Sequence, residues 1–89
     1  MKRIIKHPLE RLHSQTIKLH QKFEPISIQL QNNVPTIWSL ESDDDWKNYG
    51  EVIIWMIWTG EYVDEHLKYI GTLQFENGLV GHYFWEYKQ

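Results

Sequence analysis

Cysteine is missing from all 89 residues, which rules out disulfides, thiolate metal sites and cysteine nucleophiles and fits a reducing compartment. Glycine and proline are sparse, and no stretch is Gly/Ser-rich, repetitive or of low complexity, so nothing marks a linker or a domain boundary. The reading is one domain over residues 1–89. The longest apolar run falls far short of the roughly 20 residues that span a bilayer. Met1 to Pro8 starts with charge but has no apolar core of signal-peptide length. The chain therefore reads as soluble and cytosolic. Helical periodicity over any long segment is also lacking.

Basic residues are scarce after residue 22. Residues 23–89 hold three lysines against eleven Asp/Glu, a net charge of −8, whereas residues 1–22 carry +5. Nucleic-acid affinity comes from phosphate neutralisation, so an acidic body argues against direct nucleic-acid binding. It favours a basic partner surface, or pairing of the basic edge of one copy with the acidic face of another.

What is present is organised around Tyr49 to Gly60. Seven apolar residues, Val52 to Trp58, stand between Gly50 and Gly60, and their β-branched and aromatic character reads as a strand. Period 2 puts Val52, Ile54, Met56 and Trp58 on one face and Ile53, Trp55 and Ile57 on the other. Neither face is polar. Such a strand is either covered on both sides or has one face open to a partner.

Shorter alternating segments surround it. Ile4 and Ile5 suggest a first strand ending by Pro8. Residues 9–14 read as a connection. Residues 15–20 alternate, with Ile17 and Leu19 inward and Thr16, Lys18 and His20 outward. Residues 26–31, with Ile26, Ile28 and Leu30 inward, and residues 34–41, with Val34, Trp38 and Leu40 on one side, flank the turn former Asn32-Asn33 and form a hairpin. Residues 42–48 are a loop or a single helical turn capped by Ser42. Residues 61–67 are a polar connection. Residues 68–76 are a strand with Tyr69, Leu73 and Phe75 on one face. Asn77-Gly78 is a hairpin signal of the kind that needs positive φ at both positions. The last strand, residues 79–87, carries Leu79, Tyr83, Trp85 and Tyr87 on one face and Val80, His82, Phe84 and Glu86 on the other. Six to seven short antiparallel strands with at most one helical turn make a small all-β domain, a sandwich or curled barrel.

Chemical motifs are few. His7, His13, His20, His66 and His82 share no ligand spacing, so no metal site or other cofactor is expected. Asp43-Asp44-Asp45 lacks the glycine and distal Glu of a calcium loop and reads as a charge patch. No serine sits in a nucleophile elbow, no glycine loop cradles phosphate, and the expectation is a protein that is not an enzyme. The aromatics are the unusual feature. At 15% of residues they exceed the needs of a core this small. Trp38 reads as core, Trp46 falls in the acidic loop, and Trp55 or Trp58 must occupy the second face of the central strand. Large aromatics anchor interfaces at low entropic cost, which makes Trp55 and Trp58 candidates for an oligomer seam or partner interface.

Two sets of residues carry a resemblance. The first is Lys6-His7-Pro8-Leu9, Gln15-Thr16-Ile17, and Ile28 to Pro35 with Trp38 and Leu40. The second is Thr59-Gly60, Leu67 to Gln74, Gly78, His82 and Phe84. Together these resemble a family of small uncharacterised proteins encoded in phages and prophages, with Ile53 to Trp58 and the Asp run departing from its pattern. The resemblance implies an accessory protein, of which a stoichiometric inhibitor of a bacterial defence system, anti-CRISPR-like in action, is the leading type. The expected partner is a host protein with a basic, nucleic-acid-binding surface, met by Asp43, Asp44, Asp45 and Trp46 and then by Glu61, Asp64 and Glu65. A virion or homo-oligomeric structural module and an aromatic pocket that sequesters a nucleotide-like ligand are the alternatives.

Overall fold

The alternation along the chain resolves into seven strands in a computed structural model that describes residues 1–43 and 49–89. They are β1 (Lys2–Pro8), β2 (Ser14–His20), β3 (Phe23–Gln31), β4 (Val34–Ser42), β5 (Tyr49–Trp58), β6 (Lys68–Gln74) and β7 (Val80–Tyr87). A three-stranded sheet has the order β1-β4-β3 and a four-stranded sheet the order β2-β5-β7-β6. Every pairing is antiparallel. The result is an all-β sandwich, with no helix among the described residues and none long and apolar enough to cross a membrane.

The core lies between the sheets. The central strand β5 contributes Val52, Ile54 and Met56, and β7 contributes Tyr83 and Trp85. Ile28, Ile37, Leu19 and Leu73 meet them from the other strands, and Phe75 from the turn after β6. Leu9, in the β1–β2 connection, is buried as well and donates its N–H to the Pro35 carbonyl at 2.8 Å. Phe23 packs edge-on to Trp85 with ring centroids 4.5 Å apart. The edge strands β3 and β6 close one side so tightly that a Cβ at Gly71 would stand 2.7 Å from Ile28 Cγ2.

Both expected hairpins form, by different turns. Asn32 and Asn33 have φ of 50° and 65° and close a two-residue β3–β4 turn. In the β6–β7 hairpin Gly78 takes φ of 82° but Asn77 does not have positive φ. There the Gly78 N–H donates to the Phe75 carbonyl and the Phe75 N–H to the Leu79 carbonyl. That is a three-residue loop with a single left-handed position, so only one residue needs the freedom that two were expected to need.

Four faces differ from simple alternation. A bulge between Pro25 and Ser27 turns Ile26 outward, to 53% exposure, while Ile28 stays buried. A second irregularity between Tyr69 and Gly71 puts Ile70 against the core and leaves Tyr69 59% exposed. On β4 the inner face is Pro35, Ile37, Ser39 and Glu41, not Val34, Trp38 and Leu40, so Trp38 lies outside the core cluster. His20, expected outward, is fully buried.

The phase of β4 and the burial at His20 share a cause. Glu41 is 3% exposed and its carboxylate accepts three hydrogen bonds. His7 Nε2 donates from β1 at 2.6 Å, the His20 backbone N–H donates from β2 at 2.9 Å, and the Ser39 hydroxyl donates within β4. Burial alone would push this carboxyl up. The bonds from His7, Ser39 and His20, with the charge interaction with His7, more than offset that, and its pKa falls below the ordinary 4.5. The carboxylate thus clasps the two sheets.

Two outcomes follow. A folded-state pKa below the unfolded value means the native state holds fewer protons, so the clasp contributes fully above pH 4.5 and is lost as pH falls through the depressed value. Denaturant melts from pH 7 to 2 should show an acid limb that flattens in Glu41→Gln, which also costs about 1–3 kcal/mol at neutral pH. Gly71→Ala should cost a further about 1–3 kcal/mol through overpacking, read as a lower urea midpoint at unchanged slope. Ile28→Leu, which lacks the offending branch, should recover part of it.

Candidate functional site

With Val52, Ile54 and Met56 committed to the core, period 2 sends Ile53, Trp55 and Ile57 to the opposite side of the four-stranded sheet. Register assembles the rest of that face. Trp55 stands opposite Phe84, Ile57 opposite His82 and Ile53 opposite Glu86 on β7. Phe84 in turn stands opposite Tyr69 on β6, their rings 5.4 Å apart. Thr16 and Lys18 of β2 border Ile53 and Glu51. An aromatic row, Trp55-Phe84-Tyr69, therefore crosses three strands with isoleucines beside it. Among the described residues no strand packs over it.

Polar side chains hold this row in place. The Trp55 indole N–H donates to Glu86 Oε2 at 2.7 Å, and His66 Nε2 bonds Glu86 Oε1 at 3.0 Å. The bonds from His66 and Trp55 lower the Glu86 pKa below the ordinary 4.5 despite slight desolvation. A second chain links Thr59, His82, Thr72 and Tyr69: His82 Nε2 lies 2.8 Å from Thr59 Oγ1, His82 Nδ1 lies 3.0 Å from Thr72 Oγ1, and Thr72 Oγ1 lies 2.6 Å from the Tyr69 hydroxyl. At the β5 C-terminal end, where the 59–67 connection leaves the sheet, a cleft of about 230 Å³ opens, with Trp55, His13, Glu61, Tyr62, Asp64 and Leu67 among its lining. Glu61 Oε1 accepts the Trp58 N–H at 2.7 Å, and the Leu67 N–H closes a turn on the Asp64 carbonyl.

The residues singled out in the sequence separate accordingly. Trp55 lies on the open face. Trp58 lies on the inner side, partly buried against the core and edge-on to Phe75, so the two tryptophans do not share a surface. Glu61 and Asp64 line the cleft beside Trp55, and Glu65 is exposed in the same connection. Asp43 precedes β5 and those acids follow it, so a ten-residue strand, about 30 Å at roughly 3.3 Å per residue, intervenes. Asp43 is paired with the Met1 amino group at 3.3 Å. Asp44, Asp45 and Trp46 lie outside the described residues. Phe84, Tyr69 and Glu86 join the site although nothing singled them out. For Phe84 and Glu86 the signal was the polar-aromatic even face of β7, legible only once β7 is known to pair with β5, whereas Tyr69 of β6 had been assigned to the face of Leu73 and Phe75 and reaches this row through the irregularity before Gly71. No cluster of three metal-type ligands forms among the described residues.

A family model described as Domain of unknown function (DUF7352) matches residues 1–89. The chain belongs to this family. No curated protein and no solved structure matches it. Family membership therefore covers the whole sandwich, and the functional reading of this DUF7352 domain rests on the geometry of its open face.

That geometry sets a spectroscopic expectation. Since the Glu86 pKa is lowered from 4.5 by its bonds to His66 and Trp55, the acid titration of the Trp55 indole N–H resonance should have its midpoint below that value. Glu86→Ala should shift the same resonance toward that of a solvent-bonded indole at neutral pH while leaving the thermal midpoint close to wild type.

Proposed function

We propose that this protein is a stoichiometric binding module that docks the outer face of its four-stranded sheet on a protein with a basic surface. The observation that carries this is an aromatic row, Trp55 and Phe84 half-buried and Tyr69 exposed, with no strand packed over it among the described residues and carboxylates beside it. Trp55, Phe84 and Tyr69 supply area that buries well, whereas Glu51, Glu61, Asp64, Glu65 and Glu86 surround or approach it, against Lys18 and Lys88 among the described residues. Apolar centres inside polar rims are the usual anatomy of protein interfaces, and aromatic anchors dominate their energetics.

Charge decides between a foreign partner and a second copy. A twofold dimer through this face would oppose its own carboxylates, which like-charge repulsion disfavours. A basic rim on another protein would be attracted. Proteins that hold nucleic acid present such rims, and the resemblance to phage-encoded accessory proteins puts bacterial defence nucleoproteins, and hence anti-CRISPR-like inhibition, among the targets this surface suits.

The test is capture by the tagged protein of basic, nucleic-acid-binding proteins at low and high salt, with mass in solution measured in parallel. Phe84→Ala and Ile57→Ala should each weaken capture about tenfold or more, as interface anchors do, and high salt should lower the association rate. Capture indifferent to both substitutions and to salt would remove this face from the interaction. A discrete oligomer that Phe84→Ala dissolves would make the face a self-association seam.

A further inference from the structure

The cleft at the end of β5 has two carboxylates that the fold leaves uncompensated. Neither Glu61 nor Asp64 has an ion-pair partner among the described residues, although Arg11, His7 and His66 each pair with a different acid. Glu61 uses one oxygen to cap the Trp58 N–H, which leaves the other available. The Asp64 side chain makes no hydrogen bond among the described residues, its backbone carbonyl alone closing the turn to Leu67. The Trp55 indole beside them is pinned through Nε1 to Glu86, which fixes the plane of the ring. Tyr62, fully exposed at 100%, stands at the same cleft with nothing packed on it.

A fixed aromatic face next to two unpaired carboxylates fits one kind of side chain. A guanidinium is planar, stacks on indole, and presents a fork of N–H donors that can serve carboxylates while its face rests on the ring. An ammonium offers a point charge and no plane to stack. A neutral apolar group would leave both carboxylates to be desolvated without recompense. The volume of about 230 Å³ accommodates one long side chain rather than a nucleotide-sized molecule. We propose that this cleft is the specificity pocket of the docking face and receives an arginine side chain of the partner. This assignment rests on the docking reading above and names the chemistry the pocket selects.

The experiment is an NMR titration of the isotope-labelled full chain with N-acetylarginine amide, with N-acetyllysine amide and N-acetylleucine amide as comparators. Arginine amide should give saturable shifts confined to the Trp55 indole N–H and the amides of residues 61–67, lysine amide weaker ones, and leucine amide none. Asp64→Asn, which removes no side-chain hydrogen bond of the fold, should weaken arginine amide about three- to fivefold, the size of an exposed ion pair. Shifts that fail to saturate, that leucine amide reproduces, or that Asp64→Asn leaves unchanged would overturn the pocket, and equal affinity for lysine amide would overturn the choice of guanidinium. No partner enters this titration. Its failure with capture by the sheet face intact would sink the arginine assignment alone, whereas failed capture would sink the docking reading beneath it.

Discussion

A strand with two apolar faces, set in a sandwich that can cover one of them, is the constraint from which the rest follows. β5 lies inside the larger sheet, between β2 and β7, and Val52, Ile54 and Met56 are spent on the core. The second sheet has only three strands and lies on that side alone. Ile53, Trp55 and Ile57 are therefore left on the far side by the arithmetic of period 2 and not by any local preference. Hydrophobic residues on a solvent face lower solubility and offer no folding gain beyond same-face contacts. Aligned with Phe84 and Tyr69 they make stabilising cross-strand contacts and present the apolar area that the proposed interface would use.

Much of this was legible in the residues. The all-β class, the central strand and both hairpins came from alternation and turn chemistry, although β5 starts at Tyr49 and takes in Gly50, which was expected to precede it. What stayed hidden was of two kinds. At β5 both faces are apolar, so no residue pattern says which of Trp55 and Trp58 meets the core. The position of the opposing sheet decides, and that is a tertiary fact. At β4 the pattern misled, because hydrophobicity ranks Trp38 and Leu40 above Ser39 and Glu41. A carboxylate supplied with three donors can be buried where a tryptophan is not. Two of those donors, His7 and His20, are far away in sequence, and the third, Ser39, gives no sign of its role until they are in place. The outward turns of Ile26 and Tyr69 arise at two register irregularities, whose only sequence marks are the nearby Pro25 and Gly71.

The site was half visible for a related reason. Acidic residues were countable, but their grouping was not. Asp43 and the Glu61–Glu65 segment read as one acidic character until the ten residues of β5 are drawn out between them. Conversely Glu86 and Trp55, 31 positions apart, become hydrogen-bonded neighbours through the β5–β7 register.

Pinning matters to how such a face would work. An exposed tryptophan free to rotate loses conformational entropy on binding, and that loss subtracts from affinity. Here the loss is already taken in folding, because Glu86 fixes the Trp55 indole and His66 in turn fixes Glu86. The same bonds keep the Glu86 charge in place at any pH above its depressed titration range, so the rim stays anionic. One carboxylate therefore orients an aromatic anchor and adds to the field that would attract a basic partner. It would also oppose the carboxylates of a second copy brought to the same face. On the docking role proposed above, an aromatic row held rigid and guarded by like charge would stay available to a basic partner while resisting its own kind, which would keep an open sheet face from becoming a site of aggregation.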